Sequence, residues 1–281
     1  MNSPVRLGAY TLSNRIVIAP NPRLQADDHL PQPEAIAYYA DRASCGLIVT
    51  EPTLVSAVDK LPNYPGIFTR QQLHSWRAVT EAVKKQNGKI FLQLCYQETK
   101  QQETNLDQIN LIALFRHAAQ NALAAEFDGV EINFDCFGCF PNQNISKIEI
   151  NSHPEEFENK IQLCLTIAEE VASIWDENRV GVGITSNLEC LTDQKSILTR
   201  DFYYFLDALK FYDLAYLHLE DSIVSELCEI EIFSSWLNLL YSLYSGVLII
   251  NCQNISKIAR ERIIKHGVEL VSFKDLSAIF I

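Results

Sequence analysis

Eight short runs of aliphatic and β-branched residues recur along the chain, each followed by a longer amphipathic or polar stretch. No other feature constrains the fold as much. The runs cover residues 16–19, 47–50, 90–94, 130–132, 180–184, 215–219, 247–250 and 270–272. Strands this short and this continuously apolar are buried on both faces, and their alternation with amphipathic helices is the pattern of a parallel sheet with crossover connections. The stretch beginning Gln32-Pro33-Glu34 reads as a helix start, with proline where the missing N–H costs nothing. Leu111, Phe115, Ala118 and Ala122 lay an apolar stripe along one helical face, and Phe157, Ile161, Leu165 and Ala168 do the same in the next helix. Eight strand–helix units in 281 residues predict one α/β domain over residues 1–281, a (β/α)8 TIM barrel.

The formal net charge of −12 sets a field that repels phosphate backbones and anionic membranes, so nucleic acid and membrane partners are not expected. No apolar run reaches the ~18 residues of a membrane span, and the first twelve residues lack a signal-peptide layout, so the expected location is the cytosol. Eight cysteines then read as thiols, most of them buried. Only 10 glycines are present, about half the usual share of about 7%. That matters where a backbone must close around a phosphate.

Several separated segments carry a resemblance. They are Asn14-Arg15-Ile16-Val17-Ile18-Ala19-Pro20, Tyr38-Tyr39-Ala40-Asp41-Arg42-Ala43-Ser44, Gly46-Leu47-Ile48-Val49-Thr50-Glu51 and Gly88-Lys89-Ile90-Phe91-Leu92-Gln93-Leu94. Phe115-Arg116-His117-Ala118-Ala119, Asp128-Gly129-Val130-Glu131-Ile132 and Tyr216-Leu217-His218-Leu219 extend them. In this order the segments resemble the old yellow enzyme family of flavin-dependent ene-reductases (NADH:flavin oxidoreductases). The resemblance implies a TIM barrel with FMN lying across the carboxyl ends of its strands. It also implies positions that touch the flavin, and many of these differ here.

The hydroxyl residue expected after the first strand is Pro22, and the small residue after Glu51 is Pro52. Gln93 is kept and implies a hydrogen bond to a flavin carbonyl edge. The pair that holds the substrate oxygen falls on Asn133 and Cys136, and the proton-donating tyrosine on Gly138. Gly183 stands in place of the arginine beside the reduced flavin. The glycine pair and Gly-Arg of the phosphate site fall on Asn251-Cys252-Gln253 and Phe273-Lys274-Asp275. These departures imply lost FMN binding and a barrel with no cofactor. The first expectation is a flavin-independent isomerase, cyclase or lyase acting on an enone-like or aromatic molecule. The alternatives are the family's FMN- and NAD(P)H-dependent ene-reductase and a non-catalytic scaffold or binding barrel.

Counting strand ends places Gln93, Cys95, Tyr96, Asn133, Asp135, Cys136, Cys139, Cys190, Glu220 and Cys252 at the barrel mouth. Active sites of this fold sit there. Asp135 and Tyr96 are the candidates for proton transfer, with Asn133 and Cys136 beside them in a pocket for a small molecule. Cys136-Phe137-Gly138-Cys139 has C-x-x-C spacing, but no second such pair completes a metal site, so none is expected. Glu226, Glu229 and Glu231 read as a solvated face. His74 and His117 read as exposed or structural, and His218 as a satisfied core histidine.

Overall fold

The computed structural model describes residues 1–57, 61–96, 108–134, 154–184, 204–219, 232–253, 257–265 and 267–275. A hairpin opens the chain, with β1 (Val5–Leu7) antiparallel to β2 (Tyr10–Leu12). The eight barrel strands are β3 (Ile16–Ile18), β4 (Leu47–Val49), β6 (Ile90–Cys95), β7 (Gly129–Asn133), β8 (Val180–Ile184), β9 (Tyr216–Leu219), β10 (Leu248–Asn251) and β11 (Leu270–Phe273). They pair in parallel in chain order, and β11 returns to β3, so the ring closes. A two-residue strand, β5 (Thr53–Leu54), adds to the carboxyl end of β6. The eight sequence-derived strands all form, within a residue or two at each end.

The helices are α1 (Glu34–Ala40), α2 (Arg70–Lys85), α3 (Gln108–Ala124), α4 (Pro154–Trp175), α5 (Ile232–Leu243) and α6 (Lys257–Lys265), with residues 204–209 also helical. Thr69 starts α2 with a capping box: its hydroxyl accepts from Gln72 N–H, and the Gln72 side-chain oxygen accepts from Thr69 N–H. In α3 the stripe Leu111, Phe115, Ala118 and Ala122 is buried as its spacing requires, and in α4 so are Ile161, Leu165 and Ala168.

Side-chain parity divides the core into two. Outward positions such as Ile48, Leu92, Leu94, Val130, Ile132, Val182, Leu217, Ile250 and Val271 pack against the helices. Inward positions Val17, Leu47, Val49, Phe91, Tyr216, Ile249 and Leu270 pack on Val5, Leu7 and Leu12 of the hairpin, which plugs the amino end of the barrel. The hairpin was not expected from the sequence. Its three-residue strands carry Arg6 and Thr11 on the exposed side, too short for a recognisable alternation. Gly8 makes its turn at φ +48°, and a Cβ there would meet the Asn178 carbonyl oxygen at 1.9 Å. No other residue type fits that approach.

Candidate active site at the carboxyl end of the barrel

Four polar side chains run across the barrel interior. Gln93 Nε2 donates to Glu131 Oε1 at 2.7 Å, Glu131 Oε2 lies 2.9 Å from His218 Nδ1, and His218 Nε2 lies 2.9 Å from Ser272 Oγ. All four residues are wholly buried. The row extends through Gln93 N–H, which donates to Thr50 Oγ1 at 3.1 Å. Gln93, Glu131, His218 and Ser272 each occupy an inward position between two outward apolar ones. His218 is therefore a satisfied core histidine, as its sequence context suggests.

Directly above this row the register places Asn133 opposite Gly183 and Gly183 opposite His218. Asn133 is half-buried at the end of β7. Gly183 leaves the wall without a side chain at that level. Below it, Gly181 has a structural cause: a Cβ there would lie 2.3 Å from the Tyr216 ring. Tyr96 follows β6, half-buried against the outer core.

A second cluster stands where the loops after β3 and β4 meet. Glu51 Oε2 accepts from Arg23 N–H at 3.0 Å, its Oε1 lies 3.3 Å from Arg23 Nη1, and the Tyr39 hydroxyl accepts from Glu51 N–H at 3.0 Å. The Arg23 guanidinium stacks 4.4 Å above the Tyr38 ring. Burial pushes the Glu51 carboxyl above its ordinary range, against the downward pull of the Arg23 N–H and guanidinium. Burial and then Glu51 push the Tyr39 phenol well up. Pro22 contributes no donor here, and the donor comes from Arg23. This cluster fixes the two loops that border the mouth.

Two expectations about the mouth need correction. Gln93 is not at a strand end, because β6 runs on to Cys95, and its amide is engaged one layer down. Cys252 takes an outward position and is buried in the layer between sheet and helices. Cys45, Cys95 and Cys164 are likewise buried cysteines outside any disulfide. His74 and His117 are exposed on α2 and α3. Among the described residues no group of three or more His, Cys, Asp or Glu side chains is arranged to hold a metal. Asp135, Cys136, Cys139, Cys190, Glu220, Glu226, Glu229 and Glu231 lie outside the described residues. A cleft of about 410 Å³ opens among Asp27, Asp28, His29, Phe68 and Gln72.

FMN, the group implied by the resemblance, meets a mixed setting. Gln93, in the wall under the mouth and bonded to Glu131, is the residue that the resemblance implies would meet a flavin carbonyl edge. At the phosphate end, Gln253 Oε1 accepts the backbone N–H groups of Lys274 at 2.7 Å and Asp275 at 3.2 Å, and Asn251 Oδ1 accepts Gln253 N–H at 2.9 Å. Those amide donors are already engaged by the chain's own side chains. As built, the phosphate end does not fit the dianion.

The family model described as NADH:flavin oxidoreductase / NADH oxidase matches residues 1–110. An NADP-dependent oxidoreductase of Aspergillus flavus is 30% identical over 265 residues, covering 79% of this chain and 68% of the relative. The 12-oxophytodienoate reductase 2 of Arabidopsis thaliana is 24% identical over 314 residues, covering 96% and 83%. Putative 12-oxophytodienoate reductase 3 of Oryza sativa subsp. japonica is 30% identical over 225 residues, covering 66% of this chain and 58% of the relative. This chain thus spans a little over half the length of that relative. The solved old yellow enzyme of Trypanosoma cruzi superposes with a TM-score of 0.76 at 27% identity, over 97% of this chain and 87% of that one. An old yellow enzyme homologue of Zymomonas mobilis gives 0.79 at 24% identity over 99% and 91%, a likeness of fold. With the closed ring, the segment order and these relatives together, the chain belongs to the NADH:flavin oxidoreductase / NADH oxidase family, that of the old yellow enzymes.

Proposed function

We propose that this chain is a small-molecule oxidoreductase of the old yellow enzyme kind, reducing the C=C bond of an α,β-unsaturated carbonyl compound with electrons from NAD(P)H by way of a flavin. The observation that carries this reading is the 30% identity to an NADP-dependent oxidoreductase across 79% of the chain. The likeness to the 12-oxophytodienoate reductases supports the substrate class. These relatives favour the family alternative over the flavin-independent isomerase, cyclase or lyase expected first from the altered residues.

A bound flavin supplies hydride transfer. The chain's own residues build the mouth around it. Thr50, Gln93, Glu131, His218 and Ser272 make a rigid polar floor, and the Arg23–Glu51–Tyr39 cluster holds one rim. Asn133, above the floor, is the described side chain best placed to meet a substrate oxygen. Tyr96 and Asp135 are the candidates for proton transfer and Cys136 for lining the site.

The flavin-independent reading survives as a second possibility on one observation, the internal engagement of the amides after β10 and β11 by Gln253 and Asn251. The test is anaerobic. The full chain, supplied with flavin and NADPH, is given 2-cyclohexenone, and consumption of the C=C absorption is followed with NADPH oxidation. Coupled loss of both supports the reductase. Enone turnover without NADPH oxidation replaces it with the flavin-independent reading.

A further inference from the structure

β10 and β11 lie side by side, with Asn251 opposite Ser272. The chain leaves β10 through Cys252 and Gln253, and leaves β11 through Lys274 and Asp275. At this junction two successive backbone N–H groups converge on a single oxygen, the side-chain carbonyl of Gln253. Successive N–H groups aimed at one point form a concavity of partial positive charge, the kind of backbone site that takes anionic oxygens. In α/β barrels the loops after the seventh and eighth strands frequently build a phosphate site. Here the oxygen at that focus belongs to the protein and is neutral. Gln253 is itself held, since its N–H donates to Asn251 Oδ1 at 2.9 Å, which sets the turn that carries its side chain.

We propose that Gln253 fills the oxyanion position of the barrel mouth and so acts as a specificity-determining residue that excludes phosphate-bearing ligands. An incoming phosphate must break both amide bonds to Gln253. It must also enter the field of a chain of net charge −12. A neutral, tethered amide oxygen meets neither cost. Combined with the flavin reading above, on which this consequence rests, the chain accepts riboflavin at least as well as FMN.

The test compares the full-length wild type with Gln253→Ala, which frees the Lys274 and Asp275 N–H groups. Flavin fluorescence quenching gives the affinities for riboflavin and FMN, and thermal melting in 0–50 mM inorganic phosphate at constant ionic strength gives the anion response. Wild type is expected to bind riboflavin as tightly as FMN or more so, with no melting shift in phosphate. Gln253→Ala is expected to shift its preference at least ten-fold toward FMN and to melt higher as phosphate rises. A ten-fold wild-type preference for FMN overturns the proposal, as does a Gln253→Ala protein indifferent to phosphate. If neither protein binds either flavin while phosphate still stabilises only Gln253→Ala, the occupied oxyanion position stands and the flavin reading falls. Should Gln253→Ala fail to fold, Gln253→Glu places an anionic oxygen at the same focus. Its melting temperature relative to wild type must then rise between pH 4 and 8, and a fall refutes the proposal.

Discussion

Replacing Glu131 separates two accounts of the polar row inside the barrel. Glu131 accepts from Gln93 and meets His218, at 2.7 and 2.9 Å, with no solvent at any of the three residues. Glu131→Leu keeps most of the volume and removes this acceptor from both neighbours. Each buried donor that loses its acceptor costs about 1–3 kcal/mol, so the pair costs about 2–6 kcal/mol. Glu131→Gln behaves differently. Its oxygen still accepts from Gln93, and its amide nitrogen donates to His218 Nδ1 once the imidazole proton sits on Nε2 and points to Ser272 Oγ. The amide variant should therefore lose about 1 kcal/mol or less. Urea denaturation followed by tryptophan fluorescence measures both, read as a change in midpoint at constant slope. A Glu131→Leu protein within about 1 kcal/mol of wild type refutes the claim that the row contributes stability. Equal losses for the two variants refute the tautomer argument and make the carboxylate charge the essential element.

Gly181→Ala sets a methyl 2.3 Å from the Tyr216 ring and should destabilise by at least the about 1–3 kcal/mol typical of an overpacked core. Adding Tyr216→Leu should recover part of that loss, and a strictly additive double variant in the same urea assay speaks against the clash. Burial raises the Glu269 carboxyl above its ordinary range, outweighing its bonds to Leu248 N–H and the Tyr241 hydroxyl and the pull of Arg15. Its raised folded pKa means that its contribution is complete below the unfolded value and lost as pH rises through the folded one. Glu269→Gln should therefore melt above wild type at pH 7 and converge with it near pH 4, and a gap that widens on acidification defeats this assignment. Burial lifts the Cys45 thiol to about 11, and Cys95, Cys164 and Cys252 are enclosed too. These four should stay unmodified by a thiol reagent at pH 8 until denaturant is added, as peptide mapping of the labelled sites will show.

The barrel was legible because each strand needs a run of apolar residues buried on both faces, and the eight runs stand apart in the sequence. The inner polar row was also written there in a form easily passed over. Leu92-Gln93-Leu94, Val130-Glu131-Ile132, Leu217-His218-Leu219 and Val271-Ser272-Phe273 each set one polar residue between two apolar ones. Inward and outward parity turns these four repeats into a single network, but their pairing depends on shear between strands far apart in the chain. The same parity corrects Cys252, one step from Asn251 and therefore on the other face. Glu51 ends one of the segments that carry the resemblance and Arg23 lies outside them, and nothing local announces that a backbone N–H and a guanidinium will share one carboxylate. Gln253 left no positive signal, only the lack of glycine where a phosphate turn would want it.

The ring closes between β3 and β11, two strands far apart in the sequence. Val271 N–H donates to the Arg15 carbonyl at 3.0 Å, Arg15 Nη1 donates to the Glu269 carbonyl at 3.0 Å, and β3 pairs with β11. The plug that seals the base is made of residues 5–12, yet it seats on Tyr216, Ile249 and Leu270, which are made long after it. During synthesis the nascent hairpin has no complete socket, and β3 keeps an unpaired edge until β11 emerges. Contacts of such sequence separation come late and slowly. A chain cut short before β11 is therefore an open, edge-exposed sheet that calls for a holding chaperone, and the arrival of β11 is the step that lets this barrel close.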